Sequence, residues 1–180
     1  MISVLNNNDK FNKNSNSLNV SYIRNINIIF GNYPYPDIIH NLIVDIKNNL
    51  DPDMENYTNV KGGMTDWNYF IDKIKFVNFI TIENAWGNEI KPGDSLDYHH
   101  HPCYHGILYL TKGCDLKLPE LNLKITPEPG DYYIFPPEIL HGFEPCEGEK
   151  NRYSLIFNIH ERKHFEYNEK LRSIRSRSSA

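Results

Sequence analysis

The sequence predicts an α+β protein that is mainly β: a jelly roll with two N-terminal helices packed on one face. From Phe76 onward, short runs of β-branched and aromatic residues follow one another, separated by Gly- and Pro-containing stretches. Before Phe76, two stretches place apolar residues at helical spacing. Short strands at close intervals favour an antiparallel sandwich or barrel, of which the jelly roll is the most economical form.

The first element is a polar segment, residues 1–19, which we expect to be flexible. The next stretch, "VSYIRNINIIF" (20–30), predicts a strand. A first helix is predicted over residues 37–50, with Asp37 near its start and one apolar face formed by Ile39, Leu42, Ile43, Ile46 and Leu50. A second, short helix is predicted after Thr65 as N-cap, with Trp67, Phe70, Ile71 and Ile74 on one face.

Seven strands are predicted in the rest of the chain: "KFVNFITIENAWGNEI", "SLDYHHH", "GILYLT", "DLKL", "LNLKIT", "DYYIFP" and "RYSLIFNI". Together with the helices they form one domain over residues 20–165. The basic segment 166–180 is expected to be a flexible, solvated tail rather than a binding arm, because blocks of like charge are usually disordered.

The composition restricts the partners and the setting. A net charge of −4 gives no reason to expect nucleic acid or an anionic membrane as partner. No apolar run reaches the roughly 18 residues that a membrane span needs. The three cysteines form neither an even set nor a C-x-x-C motif, which favours a reduced, cytoplasmic setting over a disulfide framework.

The stretch "DYHHHPCYHGILYL" (97–110) indicates a metal site. Side chains two residues apart project from the same side of a strand, about 6.6 Å apart. His99 and His101 can therefore converge on one ion, whereas His100 points to the opposite side. His141, which follows a strand and a Pro-Pro turn, is the predicted third ligand. Three protein ligands leave positions open for chemistry; the alternative is a set of hydrogen-bonded histidines without metal.

The other histidines are interpreted as structural: His40 on a helix, His160 at a strand end and His164 in a polar segment. His105 begins the next strand. It is left open whether His105 supports the metal ligands, is exposed, or is hydrogen-bonded in the core.

The strand "NRYSLIFNI" alternates polar and apolar residues, so Arg152 and Ser154 share one face. If that face looks into the barrel, a buried arginine needs a partner. Arginine offers two parallel donors to a carboxylate, and the serine hydroxyl adds a third, which indicates an anionic ligand. The alternative is an ordinary salt bridge to one of three carboxylates: Glu138, Glu144 or Glu149.

Several motifs together resemble one family: Trp86 and Asn88, Gly93, "HHHP" (99–102), "HGILYL" (105–110), "PGDYYIFPPEILH" (129–141) and "RYSLIFN" (152–158). Over about residues 76–160 the chain resembles the 2-oxoglutarate/Fe(II)-dependent oxygenases. It is most similar to their small, prolyl-hydroxylase-like branch in marine bacteria and phages. The resemblance implies a double-stranded β-helix, the jelly roll of that family, and a location in the host cytoplasm if the chain is phage-encoded.

The resemblance also implies the roles of individual residues. His99, His101 and His141 match the Fe(II) ligands, and Arg152 and Ser154 match the pair that binds the distal carboxylate of 2-oxoglutarate. Dioxygen is the second co-substrate, and oxidative decarboxylation yields succinate while a C–H bond of a peptide or small metabolite is hydroxylated. Two further candidates for contacts to 2-oxoglutarate or substrate are Asn88 and Tyr109; Trp86 is interpreted as core packing.

Two departures from the family pattern concern histidines. Most of the family has a carboxylate where this chain has His101, and a small residue where it has His105. The alternative function is a cupin-type metal-binding protein or metalloenzyme that does not use 2-oxoglutarate. A cupin usually places a glutamate ligand four or five residues after the second histidine, where this chain has His105 and Gly106. A non-catalytic sandwich with structural zinc or nickel is the third hypothesis.

Overall fold

The computed structural model describes residues 19–23, 26–56, 62–76 and 81–159. The predictions for residues 1–18 and 160–180, which include the flexible ends, the basic tail, His160 and His164, lie outside these ranges. Within them the chain forms one α-helix and eleven strands, together with three short 3-10 helices at 36–38, 52–56 and 119–121. In the described parts of the chain, no helix is long and apolar enough to cross a membrane.

The strands are β1 (Asn19–Ile23), β2 (Ile26–Asn32), β3 (Gly63–Met64), β4 (Ile82–Ile90), β5 (Leu96–His99), β6 (His105–Tyr109), β7 (Leu116–Leu118), β8 (Leu123–Ile125), β9 (Asp131–Phe135), β10 (His141–Phe143) and β11 (Arg152–Ile159). The helix α1 spans Ile39–Asn48. A larger sheet has the order β1-β2-β9-β6-β11-β4-β3, and a smaller one has the order β5-β10-β7-β8.

From β4 to β11 the chain crosses between the two sheets at every step except from β7 to β8, and the strands pair antiparallel. This arrangement is a jelly roll, as the sequence predicts. Apolar side chains of both sheets fill the space between them and form what we call the inner cluster: Ile28, Phe30, Trp86, Ile107, Leu116, Leu118, Ile125, Tyr133, Phe135 and Ile156 are among its members.

The opposite face of the larger sheet carries a second cluster, which we call the outer cluster. Helix α1 covers this face with Leu42 and Ile46, against sheet residues such as Leu108, Leu155 and Phe157. A methyl group on Gly87 would overlap Ile46, so the absence of a side chain lets the helix approach β4 closely. Alternation along the strands therefore separates an α-covered face from the inner face that carries the site.

The second predicted helix is wrong. Residues 67–73 form turns rather than a helix: Ile71 N and Lys73 N donate to carbonyls three residues back. The amides of Thr65 and Phe70 bond instead to β4, Thr65 N to Gly87 O and Phe70 N to Ala85 O, each at 3.0 Å. The Thr65 hydroxyl, predicted as an N-cap, accepts a hydrogen bond from Gly87 N. Pairing with the sheet edge overrides the local helical pattern.

The predicted strand 20–30 is two strands, β1 and β2, which pair as an antiparallel hairpin. The cysteine count favours a reduced setting over a disulfide framework, but Cys114 and Cys146 form a disulfide with Cα atoms 5.4 Å apart. Cys103 is free. The two cysteines are 32 residues apart, and the fold brings together the loops that precede β7 and follow β10. Their spacing in the sequence carries no signal of this contact.

Candidate active site

Three histidines converge at one end of the space between the sheets. His99 ends β5 and His141 begins β10, and the two are direct partners in the antiparallel pair. His101 follows two residues after His99, beyond the end of the strand. The three side chains each offer a ligand nitrogen within 4.8 Å of the others. The Nε2 atoms of His99 and His101 are 3.1 Å apart, close to the roughly 3.0–3.4 Å that two nitrogens bound to one ion at about 2.1 Å would show.

Backbone carbonyls orient two of the rings. His99 Nδ1 donates to Asp97 O at 2.8 Å, and His141 Nδ1 donates to Ile139 O at 3.1 Å. A carbonyl oxygen only accepts, so Nδ1 carries the proton and Nε2 keeps its lone pair in each neutral ring. This is the outer hydrogen bond that fixes the orientation of metal-binding histidines in proteins.

Burial also favours the neutral rings. Together with the smaller effect of the neighbouring histidines, it lowers the pKa of His101 to about 4 and the pKa of His141 to about 3. Burial lowers the pKa of His99 as well, against the opposing hydrogen bond to Asp97. Neutral imidazole is the form that binds a metal, so the three rings are in the ligand state at neutral pH.

His105 lies against these rings and is buried. Its ring stacks on His101, with centroids 3.9 Å apart, and on His141, with centroids 4.5 Å apart. Neither ring nitrogen has a hydrogen-bond partner among the described residues. The reading of His105 as exposed is therefore wrong, and so is the reading as a hydrogen-bonded core residue.

Arg152, the first residue of β11, is 4% exposed. Its guanidinium lies over the rings of Tyr109 and Phe143, and Nη1 donates to Cys114 O at 3.0 Å. Burial lowers its pKa, while Tyr109 and Asp115 oppose the shift; an arginine remains charged under such conditions. Within the described residues no carboxylate pairs with Arg152, and Nε has no partner.

The carboxylates that could have paired with Arg152 lie elsewhere. Glu144 binds Lys117 at 3.2 Å and accepts a hydrogen bond from the Tyr98 hydroxyl. Glu138 and Glu149 are exposed. A salt bridge of Arg152 to any of the three is not formed in the described structure, so the alternative interpretation of this arginine is wrong.

A polar row lies beside Arg152 on the inner face. Ser154 pairs with Asn88 on β4 and with Tyr109 on β6, so the three side chains are neighbours across three strands. The Asn88 Oδ1 and Tyr109 hydroxyl oxygens are buried without a partner in the described ranges. Burial raises the pKa of Tyr109 to about 12, although Arg152 opposes the shift, so the phenol stays protonated and can donate. The fold thus brings together all four residues proposed from the sequence to bind a co-substrate.

Two asparagines at the site were given no role by sequence reasoning. Asn84 and Asn158 are backbone partners on β4 and β11, Asn158 also pairs with His105, and both side-chain oxygens are buried and unpaired in the part described. Strand alternation from Asn88 and Ser154 would have placed them on the same face. His40 and His100 are exposed and are not among the three converging ligands, and Trp86 packs in the core edge-on to Trp67.

No protein-family profile and no curated protein sequence matches the chain. Among solved structures, the chain is similar to a viral collagen prolyl hydroxylase from Paramecium Bursaria Chlorella virus-1 with 17% identity, 68% of this chain and 90% of that chain covered, and a TM-score of 0.48. A prolyl-4-hydroxylase from Pseudomonas putida gives 14% identity, coverage of 69% and 86%, and a TM-score of 0.47. A cupin-2 domain protein from Shewanella frigidimarina gives 12% identity, coverage of 48% and 76%, and a TM-score of 0.35.

Proposed function

We propose that this protein is a 2-oxoglutarate- and Fe(II)-dependent dioxygenase that hydroxylates a peptide side chain or a small metabolite. The observation that carries the proposal is Arg152: a buried cation without a carboxylate partner among the described residues. It faces the space between the two sheets, as does the group of three histidines. A buried charge left unpaired costs several kcal/mol, so a bound anion is the natural partner.

The residues present fit both groups. The three histidines offer neutral nitrogen ligands, which suit Fe(II) and leave positions open on a six-coordinate metal. A dicarboxylate would satisfy the donors of Arg152, Ser154 and Tyr109 at one end, and Asn88 lies beside them. The metal with 2-oxoglutarate and dioxygen supplies the oxidative decarboxylation to succinate.

The protein's own contribution is orientation and exclusion of water. Phe143, two residues after His141 on β10, packs against the guanidinium with its ring centroid 4.6 Å away. Arg152 would therefore bind the distal carboxylate on the side of β10 where His141, two residues before Phe143, would hold the metal. The inner cluster surrounds this space with apolar rings, which strengthens the charge-assisted hydrogen bonds from Arg152.

The test is anaerobic calorimetry of 2-oxoglutarate binding to the Fe(II)-loaded protein, followed by measurement of succinate formed in air. We expect Arg152→Ala to weaken binding by about 30-fold or more, since a charge-assisted contact contributes about 2 kcal/mol or more. Arg152→Lys should restore only part of it, because lysine keeps the charge and loses the two-pronged geometry. Lys150→Ala, an exposed cation nearby, is the matched control.

The proposal would be contradicted if wild-type protein binds Fe(II) but neither binds 2-oxoglutarate nor forms succinate. It would favour the cupin-type metalloprotein, which has no need of Arg152. A preparation that retains zinc and binds no 2-oxoglutarate would instead favour the structural sandwich.

A further inference from the structure

A second polar row crosses the inner face of the larger sheet, at the end nearest the three converging histidines. It consists of His105 on β6, Asn158 on β11 and Asn84 on β4, and Asn158 is the direct strand partner of both others. We call it the histidine-side row. Both His105 ring nitrogens and the Oδ1 atoms of both asparagines are buried without a hydrogen-bond partner among the residues that the structure describes. Buried polar groups in native proteins are normally hydrogen-bonded, so three adjacent exceptions indicate a ligand.

The histidine-side row is separate from the polar row beside Arg152. On β11, Ser154 and Asn158 are four residues apart, which corresponds to about 13 Å along a strand. Between the two polar rows lies an apolar one, formed by Ile107, Ile156 and Trp86. A carboxylate bound at Arg152 is too far away to satisfy the histidine-side row as well, so this row needs a ligand group of its own.

The polar atoms of the histidine-side row suit an uncharged amide. An asparagine Oδ1 accepts hydrogen bonds, and a neutral imidazole offers one N–H donor and one acceptor nitrogen. The three side chains of the row carry no opposite charges for an ion, and Phe135 borders the row with its ring centroid 5.5 Å from that of His105. A charged group would lose its water here without gaining an oppositely charged side chain. An amide offers both an N–H and a carbonyl oxygen to these atoms.

The row connects the position of the converging histidines with a more accessible part of the inner face. His105 is 1% exposed and its ring stacks on two of the three converging histidines, whereas Asn158 and Asn84 are half-buried. Two residues after Asn84, on the same side of β4, Trp86 packs edge-on against Trp67, which is 37% exposed. An uncharged molecule bound at the two asparagines would therefore find aromatic surface beside it.

We propose that the histidine-side row is a subsite that binds an uncharged amide group of the substrate. The amide N–H donates to an asparagine Oδ1, and its carbonyl oxygen accepts from the His105 N–H. Because His105 lies against the metal-binding histidines, a carbon next to the bound amide would lie on the side of the metal. The assignment of this ligand as the substrate rests on the proposed function, whereas the binding of an amide does not.

The test is an NMR titration of the isotope-labelled full chain with three small probes, in the absence of 2-oxoglutarate and both without metal and with Zn(II). N-methylacetamide represents a peptide unit, and acetamide represents a primary carboxamide. In methyl acetate an ester oxygen replaces the amide N–H. We expect the amides to shift the backbone signals of His105, Asn158 and Asn84. The better of the two amides should bind about 2- to 10-fold more tightly than the ester, the effect of one net hydrogen bond, and its identity shows which kind of amide the subsite prefers.

The variant that tests the row is Asn158→Leu, which keeps the approximate size of the side chain and removes its hydrogen-bonding groups. It should abolish the preference for the amide over the ester. Because a buried polar group without a partner is removed, the ligand-free variant should be at least as stable as the wild type in urea. Asn41→Leu, at an exposed position on α1, is the matched control and should leave the amide preference unchanged.

Equal affinities of the wild type for amide and ester would overturn the subsite, and so would an amide preference that a folded Asn158→Leu retains. A destabilised Asn158→Leu, together with no amide preference in the wild type, would show that ordered water alone occupies the row. These outcomes leave the proposed function intact, because calorimetry with 2-oxoglutarate tests it separately. A wild type that prefers the amide but neither binds 2-oxoglutarate nor forms succinate would keep the amide site and remove its role in hydroxylation.

Discussion

At the scale of single residues, the position of Arg152 depends on the absence of a side chain at Gly113. Gly113 lies alongside the aliphatic part of the arginine, and a methyl group there would overlap its Cδ and Nε. The guanidinium is held between two rings and by the carbonyl of Cys114. The absence of a side chain at Gly113 therefore leaves the space that the Arg152 side chain needs to point in this direction.

Gly113→Ala should consequently weaken 2-oxoglutarate binding by about 10- to 100-fold, because a displaced arginine loses one charge-assisted hydrogen bond of about 1.5–3 kcal/mol. Metal affinity should stay at the wild-type value, since no ligand histidine is touched. Calorimetry with each ligand separates the two effects. Lys112→Ala, an exposed neighbour that binds Glu128, serves as the control. Equal affinity for 2-oxoglutarate in Gly113→Ala and wild type would remove Arg152 from the binding site.

The buried histidines make the metal-free protein sensitive to acid. Burial lowers the pKa of His101 to about 4 and that of His141 to about 3, against about 6.5 in the unfolded chain. Between these pKa values the histidines are protonated in the unfolded state but neutral in the folded state. Their contribution to the free energy of unfolding is therefore fully present above about pH 6.5 and is lost as the pH falls. Each histidine contributes a slope of up to about 1.4 kcal/mol per pH unit.

Urea unfolding of the metal-free protein at pH 7, 6 and 5 measures this loss. In His141→Gln the free energy of unfolding should fall less steeply with pH, because one buried histidine is removed. In His40→Gln, which changes an exposed histidine on α1, the pH dependence should equal that of the wild type. Stability that does not fall between pH 6.5 and 5 would show that these rings are already charged or solvated in the folded protein.

Single residues at the site were predictable where a local rule applies. Strand alternation was enough to place Ser154 beside Arg152 and to separate His100 from His99. The local rules could not predict that Arg152 has no carboxylate partner among the described residues. That Arg152 meets a carbonyl and two rings instead of Glu144 depends on contacts between segments far apart in the chain.

At the scale of elements, the shortest strand at the site was the one that sequence reasoning missed. β10 has three residues and follows a Pro-Pro turn, too short for a recognisable alternation. It pairs with β5 on one side and β7 on the other, and the first pairing sets His141 opposite His99. The prediction for residues 65–74 failed in the opposite way: their helical pattern was clear, but they form turns in which the amides of Thr65 and Phe70 bond to β4.

The disulfide between Cys114 and Cys146 links the two loops that flank Arg152. Replacing both cysteines by serine should lower the free energy of unfolding by about 2–4 kcal/mol, because the closed loop restricts the unfolded chain. The same change frees the Cys114 carbonyl from its fixed place, so 2-oxoglutarate affinity should fall as well. Thermal unfolding and calorimetry measure both effects.

Cys103→Ser is the control for the disulfide, since Cys103 carries the free thiol. Without reductant, Cys103→Ser should match the wild type; a thiol reductant should make both proteins reproduce the double variant, because both keep the Cys114–Cys146 disulfide. If reduction changes neither the unfolding temperature nor the affinity, the pair does not contribute to the described fold in solution.

At the scale of the whole molecule, the larger sheet separates two apolar clusters: the inner one lies beside the site, and the outer one attaches α1 to the sheet. The inner cluster lies between the sheets, and the site residues project into the same space. The outer cluster joins the sheet to α1 and contains none of the site residues. The jelly roll itself was predictable, since its strands are local patterns, whereas its extension by the β1–β2 hairpin and by β3 depends on pairing across the chain.

This separation predicts that stability and ligand affinity can be changed independently. Ile46 is fully buried on α1 and lies against Gly87 at the centre of the outer cluster. Ile46→Ala should lower the free energy of unfolding by about 2–5 kcal/mol, the usual cost of the transfer term and the cavity. Affinities for Co(II) and for 2-oxoglutarate should remain at the wild-type values below the unfolding transition. Arg152 and Ser154 project from the other face of the larger sheet, and the strands that carry His99 and His141 belong to the smaller sheet.

Val44→Ala is the matched control, since Val44 lies on the same helix and is 39% exposed; its effect should stay within about 0.5 kcal/mol. Urea unfolding gives the stabilities, and titrations at 15 °C give the affinities. A folded Ile46→Ala with weakened 2-oxoglutarate binding would mean that the position of β4, and with it Asn88, depends on the packing of α1. In that case the sheet would transmit changes from one face to the other, and the two clusters would have to be treated as one.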